Sequence, residues 1–307
     1  MAAELLKRLF NSEITEALRK DNSFMQFAKN DDSFVNNNSV ELPHSGVDPV
    51  IQIDRAVFPG TITQRTDSAT QYLLEELSTD PTHLQYSEEL VVAYNKRASI
   101  TDGHVKSLKQ KMGDRLAFKW AENIAAPALV PTSSVNTRPS SAPGAGATLV
   151  KRIDKVDILN VRQIFDADDI PQSGRKMLFT ASQYNDILNI DDFTHVDKLG
   201  LTVIPDGMVG RIFGFDILVR SSVNRYATGG TSIKDTEAAN VATDLGAALA
   251  WHPDYVRRAM GSTKVFLENE KADYYGSVMS SVVRFGGLNA RNDSPTPKGI
   301  VSLVETV

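Results

Sequence analysis

Several features common in enzymes and secreted proteins are missing from this sequence of 307 residues. It contains no cysteine, which excludes disulfide scaffolds, cysteine nucleophiles, zinc ribbons and iron–sulfur clusters. It has no apolar run near the roughly 18 residues that a transmembrane helix needs. Residues 1–20 also lack the uninterrupted apolar core of a signal peptide. We therefore expect no membrane association, and nothing in the sequence indicates secretion.

An excess of positive charge is missing too. The chain has 38 acidic and 33 basic residues and a net charge of −5, which disfavours a protein whose main task is to grip phosphate backbones. Hydrophobic residues make up 41% of the chain and charged residues 23%, which is typical of a protein with a buried core. The length fits about two domains at roughly 150 residues per domain, or a single large one.

Catalytic signatures are the third absence. The sequence contains no Gly-x-Ser-x-Gly elbow, no Gly-Lys-Ser/Thr phosphate loop, and no pair of histidines in the His-x-x-x-His spacing of zinc hydrolases. We therefore predict no catalytic, cofactor-binding or metal-binding residues, and no cofactor. Distant residues can still converge in a fold, so a soluble α/β enzyme with a site in residues 149–261 stays an alternative.

Charge is distributed unevenly along the chain. Residues 47–94 contain eight acidic and two basic residues and no lysine, whereas residues 95–123 contain seven basic and three acidic ones. Two arrangements fit this pattern. Both stretches can form solvated faces, or an acidic arm can meet a basic helix in the same subunit or in a neighbour.

The first half of the chain predicts an arm, a long excursion and a long helix. An apolar stripe with spacings near four predicts a helix over residues 2–19. Alternation predicts strands at residues 50–57, near 62, at 72–74 and at 90–94, with too few large apolar residues for an independent core. The clearest helix covers residues 101–124, capped by Thr101 or Asp102 and roughly 35 Å long.

The second half predicts a mixed α/β region. Residues 127–147 are rich in Pro, Ser, Gly and Ala and predict a linker or a long mobile loop. Apolar spacing then predicts helices at 158–165, 184–188, 247–250 and 253–260, and strands at 177–179 and 211–220. A last strand at 278–285 is expected to pair with residues 299–304 across a turn.

Three segments and the order of the elements resemble a known family. YNKRASITDGHVKSLKQKMGDRLAFKWA (94–121), FDADDIPQSGRKMLFTASQYNDIL (165–188) and GMVGRIFGFDILVRSSV (207–223) resemble the major capsid protein of tailed bacteriophages, the Hong Kong 97 fold. The resemblance implies an α+β fold. It also implies an N-terminal arm (1–45), an extended β-hairpin loop (46–95), a peripheral domain with a long spine helix (96–126 and 262–307) and an axial α/β domain (127–261).

The resemblance also implies a function. We expect a non-enzymatic major capsid protein, assembled in the cytoplasm of a bacterial host, whose hexamers and pentamers build an icosahedral or prolate shell around double-stranded DNA. Expected partners are a separate scaffolding protein, a portal, an optional decoration protein, and packaged DNA bound without sequence specificity. Because residues 47–94 contain no lysine, we expect no isopeptide cross-link from the extended loop. An encapsulin-like compartment of the same fold, loaded with an enzyme, is the nearest alternative.

Assembly of a shell requires elements that leave their own subunit and bury surface on a neighbour. The extended loop meets this requirement, with apolar anchors at its start and acids near its end, while the bases lie on the predicted long helix. The expected inter-subunit contacts are Ile51, Ile53, Arg55, Phe58, Ile62, Arg65, Glu75, Glu76, Lys106, Lys109 and Arg115.

Overall fold

The computed structural model describes residues 23–44, 51–56, 58–60, 62, 64–85, 96–190, 208–290 and 297–307. The helix predicted over residues 2–19 and the strand predicted at 90–94 lie outside these ranges. None of the helices within them combines the length and the apolar character needed to cross a membrane.

Three α-helices and eighteen β-strands are formed by the described residues. The helices are α1 Lys96–Ala121, α2 Lys155–Ala167 and α3 Ala181–Leu188, and short 3₁₀-helices cover Ser23–Phe27, Asp32–Phe34, Pro253–Tyr255 and Ala272–Tyr274. The first nine strands are β1 Lys29–Asn30, β2 Val35–Asn36, β3 Ser39–His44, β4 Ser68–Leu73, β5 Glu75–Ser78, β6 Thr82–Gln85, β7 Leu129–Pro131, β8 Thr137–Pro139 and β9 Leu149–Lys151. The others are β10 Lys176–Thr180, β11 Met208–Ile212, β12 Phe215–Arg220, β13 Asn224–Tyr226, β14 Ile233–Lys234, β15 Leu245–Trp251, β16 Val256–Lys271, β17 Gly276–Asn289 and β18 Ile300–Val304.

Two sheets contain most of these strands. A five-stranded sheet has the order β1-β16-β17-β5, and β6 pairs with β17 beyond the end of β5. Its centre is the long antiparallel hairpin β16–β17, in which Val256 pairs with Asn289 and Lys271 with Gly276. An eight-stranded sheet has the order β11-β12-β10-β15-β13-β14, with β18 paired to both β15 and β7.

Helix α1 lies against β17 and also contacts β13 and β18 of the eight-stranded sheet. Its apolar stripe of Val105, Leu108, Met112, Leu116 and Trp120 is buried, as its spacing predicts. The Trp120 ring lies 5.5 Å from the Trp251 ring of β15, and its Nε1 donates to the Arg257 carbonyl at 2.9 Å. The two tryptophans therefore join the helix to both sheets.

Helices α2 and α3 form where the apolar spacing predicts helices, and each starts at a capping box. The Asp154 side chain caps α2 together with Asp157, and Thr180 caps α3 together with Gln183. Each pair satisfies backbone N–H groups that the first helical turn leaves free.

The helices predicted at Ala247–Ala250 and Pro253–Met260 are wrong. The first is part of β15, every residue of which is buried, and the second is a 3₁₀ turn followed by the start of β16. Alanine favours helices in isolation, but β15 has β10 and β13 along one edge and β18 along the other, and these non-local partners decide its conformation.

Two predicted strands differ in their pairing. Residues 211–220 form a hairpin of β11 and β12 instead of one strand, because the chain turns at Phe213 and Gly214, which have φ values of 46° and 93°. Residues 300–304 form β18, which pairs with β15 and β7 in the eight-stranded sheet and not with β17.

Two boundaries also differ. Helix α1 begins at Lys96, ahead of the predicted caps Thr101 and Asp102, since its first turns lie before the apolar stripe starts. Residues 127–147 include β7 and β8 instead of forming a linker, and Ala142 and Ala145 are buried. Small residues there permit close contact with the eight-stranded sheet, which a composition rich in Ala, Ser and Pro does not reveal.

Candidate functional site

A segment with unusually exposed apolar side chains lies between β3 and β4. We call the described residues from Ile51 to Asp67 the loop tip. Ile51, Ile53, Phe58 and Ile62 in the loop tip are 89%, 88%, 78% and 97% exposed. Several large apolar side chains exposed close together in the sequence are typical of a surface that another molecule covers.

The loop tip contains no strand among its described residues, whereas alternation predicted strands around Ile51 and Ile62. A strand requires a hydrogen-bonding neighbour, and the paired strands β3 and β4 end at His44 and Ser68. The alternation is thus a property of residues that have no partner strand in the described part of the chain.

Two arginines belong to the loop tip. The Arg55 guanidinium occupies the space that a side chain at Gly60 would take. Arg65 donates from Nε to the Asp67 carboxylate at 2.8 Å, with both side chains largely exposed. With Asp54 the loop tip has two acids and two bases, so its formal charge is zero, and the acidic residues Glu75, Glu76 and Asp80 follow it.

The acidic strand β5 contacts helix α1 of the same chain. Arg115 donates from Nη2 and Nε to the Glu75 carboxylate at 2.6 and 2.8 Å, and from Nη1 to Asp235 at 2.8 Å. Lys119 adds a second cation, 3.2 Å from Glu75. Hydrogen bonds from Arg115 lower the pKa of Glu75 and outweigh the effect of burial. This pairing is made within one chain, one of the arrangements that the charge pattern allows.

The other predicted contact residues outside the loop tip are Glu76, Lys106 and Lys109, and they take no part in the Glu75–Arg115 pair. Glu76 lies 3.4 Å from Arg284 on the neighbouring strand β17. Lys106 forms a surface pair with Asp102 one helical turn away, and neither Lys106 nor Lys109 lines the groove described next.

A groove of about 1100 Å³ lies beside the Glu75–Arg115 pair, between residues 75–82 and helix α1. Its carboxylates are Glu75, Glu76, Asp80, Asp235 and Glu237, and its cations are Lys111 and Arg115. Lys111 lies 2.6 Å from Glu237. Leu77, Ile100 and Leu108 supply apolar wall.

His104 also lines the groove and is 8% exposed. Its Nε2 has no hydrogen-bond partner among the described residues. Burial lowers the pKa of His104, so the imidazole is neutral at pH 7.

Sequence reasoning missed this groove. Asp235 and Glu237 lie more than 100 residues from α1, and only the spacing of Lys111 and Arg115 on one helical face hinted at a cationic stripe. In the described part of the chain, no group of three His, Asp or Glu side chains is arranged to hold a metal ion.

Comparison with solved structures identifies the architecture. The capsid structure of cyanophage P-SCSP1u superposes with a TM-score of 0.63 at 15% identity, covering 91% of this chain and 86% of that one. A chain from Mycobacterium phage Che8 gives 0.62 at 14% identity, covering 91% and 90%. The capsid of Ralstonia phage GP4 gives 0.59 at 14% identity, covering 92% and 87%. The chain has the Hong Kong 97 fold.

No family model matches the sequence, and a search of curated proteins finds no relative.

Proposed function

We propose that this chain is the major capsid protein of a tailed bacteriophage, a structural subunit without catalytic activity. The supporting observation is the loop tip, which exposes four large apolar side chains on a Hong Kong 97 fold. A subunit of a closed shell needs such a surface, because each copy must bury part of itself on the next.

The assembly follows from repetition of one contact. Hexamers and pentamers of the chain build an icosahedral or prolate shell that encloses double-stranded DNA, located in the virion and formed in the cytoplasm of the bacterial host. A scaffolding protein, a portal and an optional decoration protein complete the partners. A net charge of −5 supports DNA as cargo held without tight or sequence-specific binding.

The predicted domains are proposed with two changes: the axial domain ends at residue 255, before β16 begins, and it gains β18. Residues 1–45 form the arm, 46–95 the extended loop, and the peripheral domain combines 96–126 with the β16–β17 hairpin. The axial domain contains 127–255 and also β18, because β18 pairs with β15 and β7.

The inter-subunit contacts are proposed for the loop tip first, at Ile51, Ile53, Arg55, Phe58, Ile62 and Arg65. Glu75 and Arg115 instead stabilise the subunit that contains them. Lys106 and Lys109 stay predictions as contacts of the spine helix.

The test is to image the purified protein by electron microscopy. Shells, hexamer sheets or isolated hexamers and pentamers are expected, whereas a small monodisperse species contradicts the proposal. Packaged DNA is expected in particles from infected cells. An enzyme cargo would instead favour the alternative, an encapsulin-like compartment of the same fold.

A variant with Ile51, Ile53 and Ile62 each changed to serine sharpens the test. It should stay folded but lose assembly, because each buried isoleucine contributes about 1.5–3 kcal/mol to a contact. Val135→Ser is the matched control, since Val135 is 94% exposed outside the loop tip. Normal assembly of the triple variant would contradict the role of the loop tip.

A further inference from the structure

The extended loop joins the rest of the subunit through a small sheet of its own. Strands β2, β3 and β4, which we call the loop sheet, pair only with one another among the described strands. Leu74 alone separates β4 from β5, which belongs to the five-stranded sheet. A link of one residue leaves the angle between the two sheets to be set by the contacts of their side chains.

Leu74 lies in a notch on the five-stranded sheet. Its side chain is buried, and a methyl group placed on Gly261 of β16 or on Gly286 of β17 would lie 2.9 Å from it. The two glycines thus leave the space that Leu74 occupies. The other buried apolar residues at this contact are Val40, Leu42, Tyr72 and Ala259. Apolar burial is non-directional, so it holds the loop sheet in place without fixing its angle.

A buried polar bridge crosses the same contact. Asp31 is fully buried, and its carboxylate oxygens accept from Tyr72 Oη of β4 at 3.2 Å and from Arg257 Nη1 of β16 at 2.8 Å. Burial, followed by the charge of Asp31, raises the pKa of Tyr72, so the hydroxyl keeps its proton and donates it. Hydrogen bonds weaken steeply away from a straight geometry, so the bridge supplies the direction that the apolar contact lacks.

The bridge is anchored on the side of the five-stranded sheet. Asp31 N donates to the Arg258 carbonyl at 2.9 Å, which holds the backbone of Asp31 on β16. The Arg257 carbonyl accepts from Trp120 Nε1 of α1 at 2.9 Å. Asp31 and Arg257 are thus tied to β16 and α1, and Tyr72 is the member that belongs to the loop sheet.

A small rotation at the bridge becomes a large displacement at the loop tip. Strand β4 runs from Ser68, which directly follows the loop tip, to Leu73 at the base of the loop sheet. Five steps of ~3.4 Å give this strand a length of about 17 Å. A rotation of about 10° at the base therefore moves Ser68 by about 3 Å, which is the length of a hydrogen bond. The angle must be held closely if the loop tip is to point in the same direction in every copy.

We propose that Asp31, Tyr72 and Arg257 are positioning residues that fix the angle at which the extended loop leaves the subunit, with Leu74 as the pivot. This inference rests on the proposed function and names the residues that give the loop one direction in all copies. A buried ion pair adds little net stability but can specify one arrangement, which is the role of the Asp31–Arg257 pair.

Distances between two spin labels test the angle directly, because the natural chain contains no cysteine that would also be labelled. Free subunits of the Ala69→Cys, Lys264→Cys variant carry one label on β4 and one on β16, both at exposed positions. Double electron–electron resonance should give a single narrow distance distribution. Adding Tyr72→Phe should widen this distribution at least twofold, because the phenyl ring fills the same space but cannot donate to Asp31.

Tyr226→Phe is the matched control, since Tyr226 is also buried but lies on β13 in the eight-stranded sheet. It should leave the width unchanged. Asp31→Asn should widen the distribution more than Tyr72→Phe does, because it weakens both contacts of the bridge. An unchanged width in Tyr72→Phe overturns the proposal, whether or not Asp31→Asn folds. A shifted but equally narrow distribution also overturns it, because another contact would then fix the angle.

Assembly of the same variants without labels separates the two levels of the inference. If the unchanged protein forms no shells, the proposed function is wrong, and the distances in free subunits still decide the role of the bridge. If it forms shells, Tyr72→Phe should lower the fraction of closed shells of one diameter threefold or more in electron micrographs, and Tyr226→Phe should not. Uniform shells from Tyr72→Phe subunits with a widened distribution would overturn the link between the loop angle and assembly.

Discussion

Changing Glu305 to glutamine should destabilise the subunit through a buried charge network. The Glu305 side chain is fully buried and accepts hydrogen bonds from Arg138 Nη2 at 2.8 Å, Ser140 Oγ at 2.9 Å, Gln183 Nε2 at 3.1 Å and Gly246 N at 3.1 Å. These donors come from segments up to 167 positions away along the chain. Glu305 therefore ties the C-terminal end of the described chain to the eight-stranded sheet and α3.

The expected loss in the free energy of unfolding is about 3 kcal/mol. Breaking a buried ion pair costs roughly 3–5 kcal/mol, because the remaining charge has no compensation. Arg138 keeps its second partner Asp186 at 2.6 Å, which places the loss at the lower end of that range. Glu268→Gln is the control, because Glu268 is 61% exposed and, among the described residues, pairs only with Lys271, so about 0–1 kcal/mol is expected.

The loss should also depend on pH. Burial alone would raise the pKa of Glu305, but the charge of Arg138 and hydrogen bonds from Ser141 outweigh it and lower the pKa. The stabilisation is therefore complete above the ordinary pKa of a glutamate and is lost as the pH falls through the lowered pKa. Below that value the unchanged protein and the variant should differ little.

Urea unfolding followed by tryptophan fluorescence measures both effects. The chain has two tryptophans, Trp120 and Trp251, which contact each other in the core and report on its loss. A loss below about 1 kcal/mol at pH 7, within the range of a surface pair, would refute the reasoning. An undiminished loss at strongly acidic pH would refute the sign of the pKa shift.

Further predictions concern α1 and its contacts. Gly287→Ala should destabilise by about 1–3 kcal/mol, because its methyl group would lie 2.9 Å from the Arg257 carbonyl oxygen and 3.2 Å from Trp120 Nε1. Gly103→Ala, where a methyl group meets nothing within 4 Å, should instead stabilise by up to about 1 kcal/mol; equal thermal shifts of the two variants would contradict this. Glu75→Gln should cost about 1 kcal/mol at neutral pH, since the pair with Arg115 is partly exposed. Because the pKa of Glu75 is lowered, this cost should vanish as the pH falls through that pKa, and a cost that persists in acid would contradict the assignment.

Elements with local signals were predictable from the sequence. Helix α1 follows from a stripe that repeats over four turns, and α2 and α3 follow from shorter stripes of the same kind. In such elements the hydrogen bonds are made within the segment, so the segment itself contains the information. The four exposed apolar residues of the loop tip were also identifiable, because nothing nearby in the sequence could bury them.

Elements that depend on distant partners were not predictable in this way. Strand β15 is rich in alanine and favours a helix until β10, β13 and β18 surround it. Strand β18 was assigned to the wrong neighbour, since strand pairing leaves no mark in a single sequence. The groove likewise requires Glu75 and Asp235 to converge on Arg115 from 40 and 120 positions away.

The fold separates residues that stabilise the subunit from residues that are free to join subunits. Strands β5 and β6 pair with β17, and Glu75 pairs with Arg115, so the described residues from 75 to 85 are held by their own chain. In the proposed assembly the loop tip, whose described residues pair with no described strand, is the part of this loop that reaches a neighbour. A contact of so few residues is individually weak, and weak contacts let misplaced subunits leave before a shell closes. Substitutions should therefore fall into two groups: changes at Glu75 or Glu305 lower the stability of the free subunit, whereas changes at Ile53 or Arg55 lower assembly and leave that stability unchanged.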